Sequence, residues 1–239
     1  MSIIGKCVLK KGTNKMRIEE KALNKLKYIV RYPENYVEGE KYPVILLLHG
    51  AGGRGDDIEV LKNNPFFLIT NEKKDFPFIS VAPLCSANTW FDLFDDLKAL
   101  VKEIAKASFT DAKKIYAMGA SMGGYATWQL AMSIPEFFAA IAPICGGGMY
   151  WNAGRLKNVP VWAFHGALDT TVLVEESIKM VRTVKHCGGS AKITIYPENM
   201  HDAWSDTYNN PEVYEWFLSH ENENAEELVD KFKGSEIYG

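Results

Sequence analysis

Nothing in this chain approaches the roughly 20 consecutive apolar residues that a membrane-spanning helix requires. Basic charge is scarce in net terms: 27 Lys and Arg face 30 Asp and Glu, a formal net charge of -3. That leaves no surplus for a nucleic-acid backbone or an anionic lipid surface, so neither is expected as a partner. The four cysteines, Cys7, Cys85, Cys145 and Cys187, are far apart in the sequence. They form neither a metal-binding pair nor a dense disulfide pattern, and reduced buried thiols are expected. Met1 to Cys7 lacks the basic and longer apolar segments of a secretory signal, so a cytoplasmic location is the expectation. The glycine-rich stretch Gly50 to Gly55 lacks the Gly-Lys-Ser or Gly-Lys-Thr ending of a phosphate-binding loop. No internal repeat is visible.

What remains is an ordinary globular composition, 47% apolar and 24% charged in 239 residues, enough for one substantial core. A single domain over 1–239 is expected. Apolar strand-like runs at Pro43–Leu48, Phe76–Ala82, Lys114–Met118, Ala139–Ile144, Pro160–Phe164 and Lys192–Tyr196 alternate with helical patterns. That alternation predicts an α/β fold, a mostly parallel sheet with helices on both faces. Lys25–Tyr32 reads as an early antiparallel strand. Asp92–Ala107, with Leu93, Leu97, Leu100, Val101 and Ile104 at helical spacing, reads as an amphipathic covering helix. Asn224 with Glu227 three residues later predicts a short acidic C-terminal helix over 224–233, its apolar face carried by Ala225, Leu228, Val229 and Phe232.

The chemistry is concentrated at Gly119-Ala120-Ser121-Met122-Gly123-Gly124, directly behind the strand run ending at Met118 and ahead of the helical pattern Tyr125–Met132. Strand, glycine-flanked serine and helix in that order form a nucleophile elbow, in which a sharp turn projects the serine oxygen toward substrate. A serine needs a base to remove its proton and a carboxylate to fix the base's tautomer. In folds with this elbow the acid and then the histidine follow the serine along the chain.

With Asp169 as the acid, His49 and His165 are excluded as bases, and three of the five histidines remain. His186 and His220 end helical runs, where a histidine interacts with free carbonyls and the helix dipole. His201 follows the strand Lys192–Tyr196 in a loop that can reach a neighbouring strand end, and it is the expected base. Asp169 follows the strand Pro160–Phe164 at its carboxyl end, where open α/β sheets place their sites. The alternative role for Asp169 is to cap a helix beginning near Val174. Asp202, Asp206 and Asp111 are alternative acids, none of which follows a central strand. Upstream, the run Pro43–Leu48 ends in His49-Gly50-Ala51-Gly52-Gly53, a loop suited to stabilising an oxyanion. The backbone N–H groups of Ala51 and Met122 are the expected donors, and His49 is expected to brace the loop.

On these motifs, together with Phe164-His165-Gly166-Ala167-Leu168-Asp169 and His201-Asp202-Ala203-Trp204, the chain resembles α/β-hydrolase carboxylesterases. The resemblance covers about Tyr42 to Trp216. The branch is that of dienelactone-hydrolase-like and polyhydroxybutyrate-depolymerase-like esterases, which includes feruloyl and acetyl esterases acting on plant cell-wall material. It implies the α/β-hydrolase fold and a Ser-His-Asp acyl-enzyme mechanism with no metal and no organic cofactor. A dienelactone hydrolase proper would carry cysteine at the elbow, where this chain has Ser121.

Only about fifteen residues separate the strand ending near Ile144 from the one starting at Pro160, too few for a helical cap domain. An open site favours a small-molecule or oligosaccharide-linked ester, with Trp90, Tyr150, Trp151 and Trp204 as candidate contacts for a sugar or phenolic ring. Two other readings stand beside the esterase. An acylaminoacyl-type serine peptidase would want a gating domain, and a non-catalytic α/β-hydrolase-like binding protein would be expected to have lost part of the triad. The oligomeric state leaves no trace in the sequence.

Overall fold

The structure, a computed structural model, describes residues 17–73 and 75–225. Ile18–Leu23 (β1) and Leu26–Arg31 (β2) form an antiparallel hairpin whose corner residue Asn24 has φ 52, a conformation asparagine tolerates. β2 is the early antiparallel strand expected from the sequence. β1 left little apolar signal, because three of its six residues are Glu19, Glu20 and Lys21.

Six further strands complete the sheet: β3 (Tyr42–Leu48), β4 (Ile79–Pro83), β5 (Thr110–Ala120), β6 (Ala140–Ile144), β7 (Val161–Gly166) and β8 (Ala191–Tyr196). The order across it is β1-β2-β4-β3-β5-β6-β7-β8, and every pairing from β4 to β8 is parallel. β3 is buried from Val44 to Leu48, as a strand covered on both faces must be. Its residues divide by parity: Val44, Leu46 and Leu48 join one core, Ile45 and Leu47 the other. The first core is closed by α3 (Phe94–Lys106), α4 (Met122–Ser133) and α5 (Val174–His186). α2 (Pro65–Asn71), α6 (Trp204–Asn209) and α7 (Pro211–Leu218) close the second, while the short α1 (Glu59–Lys62) precedes α2. This is the α/β-hydrolase arrangement expected from the sequence. The helix expected over 92–107 begins as a 3-10 turn, Trp90–Leu93, because Thr89 and Asp92 form a reciprocal capping box there before α3 starts. The expected C-terminal helix lies outside the described residues from 226 onward.

Two features of this frame position a site. The connection from β6 to β7 contains a 3-10 turn, Tyr150–Leu156, and no α-helix. Between β5 and α4 the chain turns on Ser121, whose φ of 55 and ψ of -118 are strained for a residue with a side chain. The Ser121 N–H donates to Ile144 O at 2.9 Å, which ties the apex to the end of β6. A Cβ on Gly119 would stand 2.4 Å from Gly123 O, one on Gly123 1.9 Å from Leu48 O, and one on Gly124 2.5 Å from Ile144 O. All three obstacles are backbone, so the turn closes only on glycine. Gly123→Ala is therefore expected to cost about 1–3 kcal/mol or more by overpacking, read as a lowered midpoint in thermal unfolding followed by circular dichroism. An unchanged midpoint would show that β3 and α4 do not press on each other as described.

Candidate active site

Three loops at the carboxyl ends of their strands bring together Ser121 after β5, Asp169 after β7 and His201 after β8, where open α/β sheets place their ligands. Ser121 Oγ lies 2.9 Å from His201 Nε2, and His201 Nδ1 lies 2.7 Å from Asp169 Oδ2. A carboxylate accepts only, so Nδ1 carries the ring proton and donates it to Asp169. Nε2 is then left with a lone pair facing the serine hydroxyl, the tautomer that proton removal requires.

Asp169 is 4% exposed and its two oxygens divide the work. Oδ1 accepts the backbone N–H groups of Thr171 and Val172, each at 2.9 Å, and Oδ2 accepts His201. Burial pushes this carboxyl up, but the His201 bond and the two N–H groups outweigh burial and hold it below the usual aspartate value. Asp169 is not a helix cap, since α5 starts at Val174 behind Leu173 with no side-chain cap. The other candidate acids act locally: Asp202 accepts from Ser205, Asp206 from Asn199, and Asp111 from the Lys113 N–H. His186 is the last residue of α5, and His220 Nδ1 contacts Trp216 O at 2.7 Å just beyond α7, both helix-end positions as expected.

The loop after β3 is braced by His49, which is 3% exposed. Its Nε2 accepts the Cys85 N–H at 3.0 Å, so Nδ1 is the protonated nitrogen and donates to Gly50 O at 2.7 Å. Burial lowers its affinity for a proton and keeps it neutral. Trp90 requires a correction. Expected as a substrate contact, it is fully buried, its Nε1–H donates to His49 O at 3.0 Å, and its ring packs 4.8 Å from the His49 ring. It supports the loop from beneath because an indole N–H in a core must find an acceptor, and His49 O supplies it. Arg54 fixes the same loop from outside, donating to Ala51 O at 2.9 Å and Asn88 O at 2.8 Å. Ala51 opens a 3-10 turn and Met122 opens α4, positions whose N–H groups have no partner within their own helix.

A cavity of about 430 Å³ opens beside Ser121 and His201. Of the expected aromatic contacts, Trp204 lines it, edge-on to the His201 ring at 5.5 Å between centroids. Tyr150 and Trp151 do not line it; they stand 47% and 71% exposed on the β6–β7 connection. Asn64, Pro65, Thr171 and Tyr208 line the cavity and were missed by sequence reasoning. Asn64-Pro65 could have been read as a helix start, since Asn64 accepts the Phe66 N–H and Pro65 takes the first helical position. Behind the triad, the Cys145 sulfur and the ligand-type atoms of Asp169 and His201 lie within 4.8 Å of one another. As a metal-binding set they fit poorly: Asp169 and His201 already bond each other, and burial pushes the Cys145 thiol up to about 12, far from the thiolate a metal needs.

The sequence profile of the Dienelactone hydrolase family matches residues 80–232. A bifunctional acetylxylan esterase/xylanase of Neocallimastix patriciarum is 26% identical over 164 residues, 65% of this chain and 24% of that protein. "Probable feruloyl esterase C" of Aspergillus terreus is 25% identical over 162 residues, 66% of this chain and 60% of the relative. The chain thus spans less than two thirds of either relative. Among solved structures, a thermostable esterase superposes with a TM-score of 0.71 at 31% identity, over 86% of this chain and 63% of the other.

An organophosphonate is expected to label Ser121 in the intact protein, located by mass spectrometry. Trp90→Phe keeps a six-membered aromatic ring but removes the pyrrole half of the indole and with it the donor to His49 O. It is expected to cost about 1–2 kcal/mol of stability and to slow labelling about ten-fold through the loosened loop. Labelling at the wild-type rate would detach Trp90 from the site.

Proposed function

Because the chain belongs to the dienelactone hydrolase family, we propose that it is a serine carboxylesterase in which Ser121 is the nucleophile, His201 the general base and Asp169 the orienting acid. The observation that carries this reading is the unbroken hydrogen-bond chain from Ser121 Oγ through the His201 ring to the buried Asp169 carboxylate. His201 Nε2 takes the hydroxyl proton as Ser121 attacks the ester carbonyl. The oxyanion that forms is held by the N–H groups of Ala51 and Met122, fixed dipoles that contribute on the order of 3 kcal/mol each. The protonated ring then hands its proton to the departing alcohol. Water enters by the same path with His201 again as base, and the acid leaves. Asp169 stays ionised throughout and stabilises the imidazolium. No step calls on a metal or an organic cofactor.

The proposed substrates are acetyl or feruloyl esters of plant cell-wall oligosaccharides. Three observations support them. Two curated relatives carry acetylxylan and feruloyl esterase in their names. The cavity of about 430 Å³ falls in the range of small-molecule sites. The short β6–β7 connection leaves room for an alcohol that projects into solvent.

The decisive experiment compares initial rates of wild type and Ser121→Ala on p-nitrophenyl acetate, methyl ferulate and an aminoacyl amide. Both esters are expected to turn over and the variant to be inactive on both. Amide turnover without ester turnover would replace the esterase with a peptidase, and no turnover would favour a binding protein. Asp169→Asn is expected to lower kcat by about 10⁴, because the amide favours the wrong imidazole tautomer. A fall of less than about ten-fold would remove Asp169 from the mechanism. Trp204→Ala is expected to raise KM for methyl ferulate more than for p-nitrophenyl acetate, since only the larger acyl group reaches a ring at the cavity wall. Equal effects on both esters would place the acyl group elsewhere.

A further inference from the structure

His165, which the mechanism does not use, closes β7 with no solvent exposure. An imidazole in a core must satisfy both nitrogens, and the partners here identify where its proton lies. Nδ1 is 2.8 Å from Ser177 Oγ, a hydroxyl whose one proton can be given to this nitrogen or to Gly146 O at 2.7 Å. Nε2 faces only acceptors: Val172 O at 2.9 Å and Asp169 Oδ2 at 3.3 Å. A nitrogen surrounded by acceptors carries a proton.

We propose that His165 is a positioning residue for Asp169, its Nε2–H shared between Val172 O and Asp169 Oδ2, so that one carboxylate oxygen is held between two histidines. This rests on the reading of Ser121, His201 and Asp169 as a triad. The geometry gives His165 two effects. It fixes the carboxylate laterally: Thr171 and Val172 hold Oδ1, and the proposed second donor, with Nε2 at 3.3 Å, steadies the Oδ2 that His201 holds. It also draws on the charge that Asp169 presents to His201, since a second donor on Oδ2 weakens the pull of that oxygen on the first. The N–H of Val172 serves Oδ1 while its carbonyl receives His165, so one residue links the donor to the acid it serves. The other titratable groups facing Asp169 do not compete. Cys145 at the end of β6 and Tyr125 on α4 are both raised by burial and stay neutral near pH 7, and Asp202 interacts with Cys145 from the loop after β8.

The test pairs a spectroscopic reading of the wild type with two variants. In ¹⁵N-histidine-labelled protein, the His165 Nε2 is expected to carry the ring proton; an unprotonated Nε2 overturns the proposal whatever the variants do. His165→Asn keeps a polar partner for Ser177 and loses the donor toward Asp169, while His165→Gln keeps a donor near the Nε2 position. On p-nitrophenyl acetate, the Asn variant is expected to lose about ten-fold in kcat. The acid limb of its kcat/KM profile is expected to shift about 0.5–1 unit to higher pH, because the undivided Asp169 charge holds the His201 proton more strongly. The Gln variant is expected to recover much of both. A folded Asn variant with lowered kcat but an unmoved acid limb would make His165 merely structural and overturn the proposal. If the Asn variant does not fold, the wild-type spectrum decides. A wild type that hydrolyses no ester defeats the esterase reading and leaves the spectral result standing.

Discussion

The structure depends on backbone meeting backbone at distances that no side chain would permit. Gly123 presses the first turn of α4 against Leu48 O, and Gly166 lets the loop 199–200 cross the end of β7, where a Cβ would stand 2.0 Å from Met200 O. The first contact sets the Ser121 turn beside the loop that begins at His49. The second lowers His201 onto Asp169. Neither supplies much attraction of its own. Both remove an obstacle, and the hydrogen bonds of the site become geometrically possible as a result.

Three histidines show how context assigns chemistry to a single residue type. His49 is buried, accepts from Cys85 N–H, and is kept neutral as a strut. His165 is buried with its Nε2 facing two acceptors, Val172 O and Asp169 Oδ2. His201 alone is part-exposed, with one nitrogen bonded to a carboxylate and the other facing a hydroxyl at the cavity. The difference lies in what each ring nitrogen faces and whether water can reach it, which is why only His201 is placed to cycle a proton.

The support beneath the site is as specific as the site itself. Trp90 reaches up to His49 O, Arg54 clamps Ala51 O from the surface, and Ser121 N–H is anchored on Ile144 O. Loops carry every reacting group, yet each loop is tied to a strand end or a buried side chain, and that restraint makes loop-borne chemistry reproducible.

Sequence alone determined the alternation of the central strands with their larger helices, though not β1 or α2, the elbow around Ser121 and the choice of Asp169 and His201. These rest on local signals: apolar periodicity, glycine spacing and position after a strand. It could not settle Trp90, because an aromatic beside a loop looks the same whether it faces substrate or core, and only packing turned its N–H toward His49 O. Nor could it find Asn64, Pro65, Thr171 and Tyr208 at the cavity or tie His165 to Asp169. The stretch from His165 to Thr171 meets Asn64-Pro65 and Tyr208 from two other segments. Their meeting is a property of how the sheet stacks its strand ends, and no window of sequence contains it.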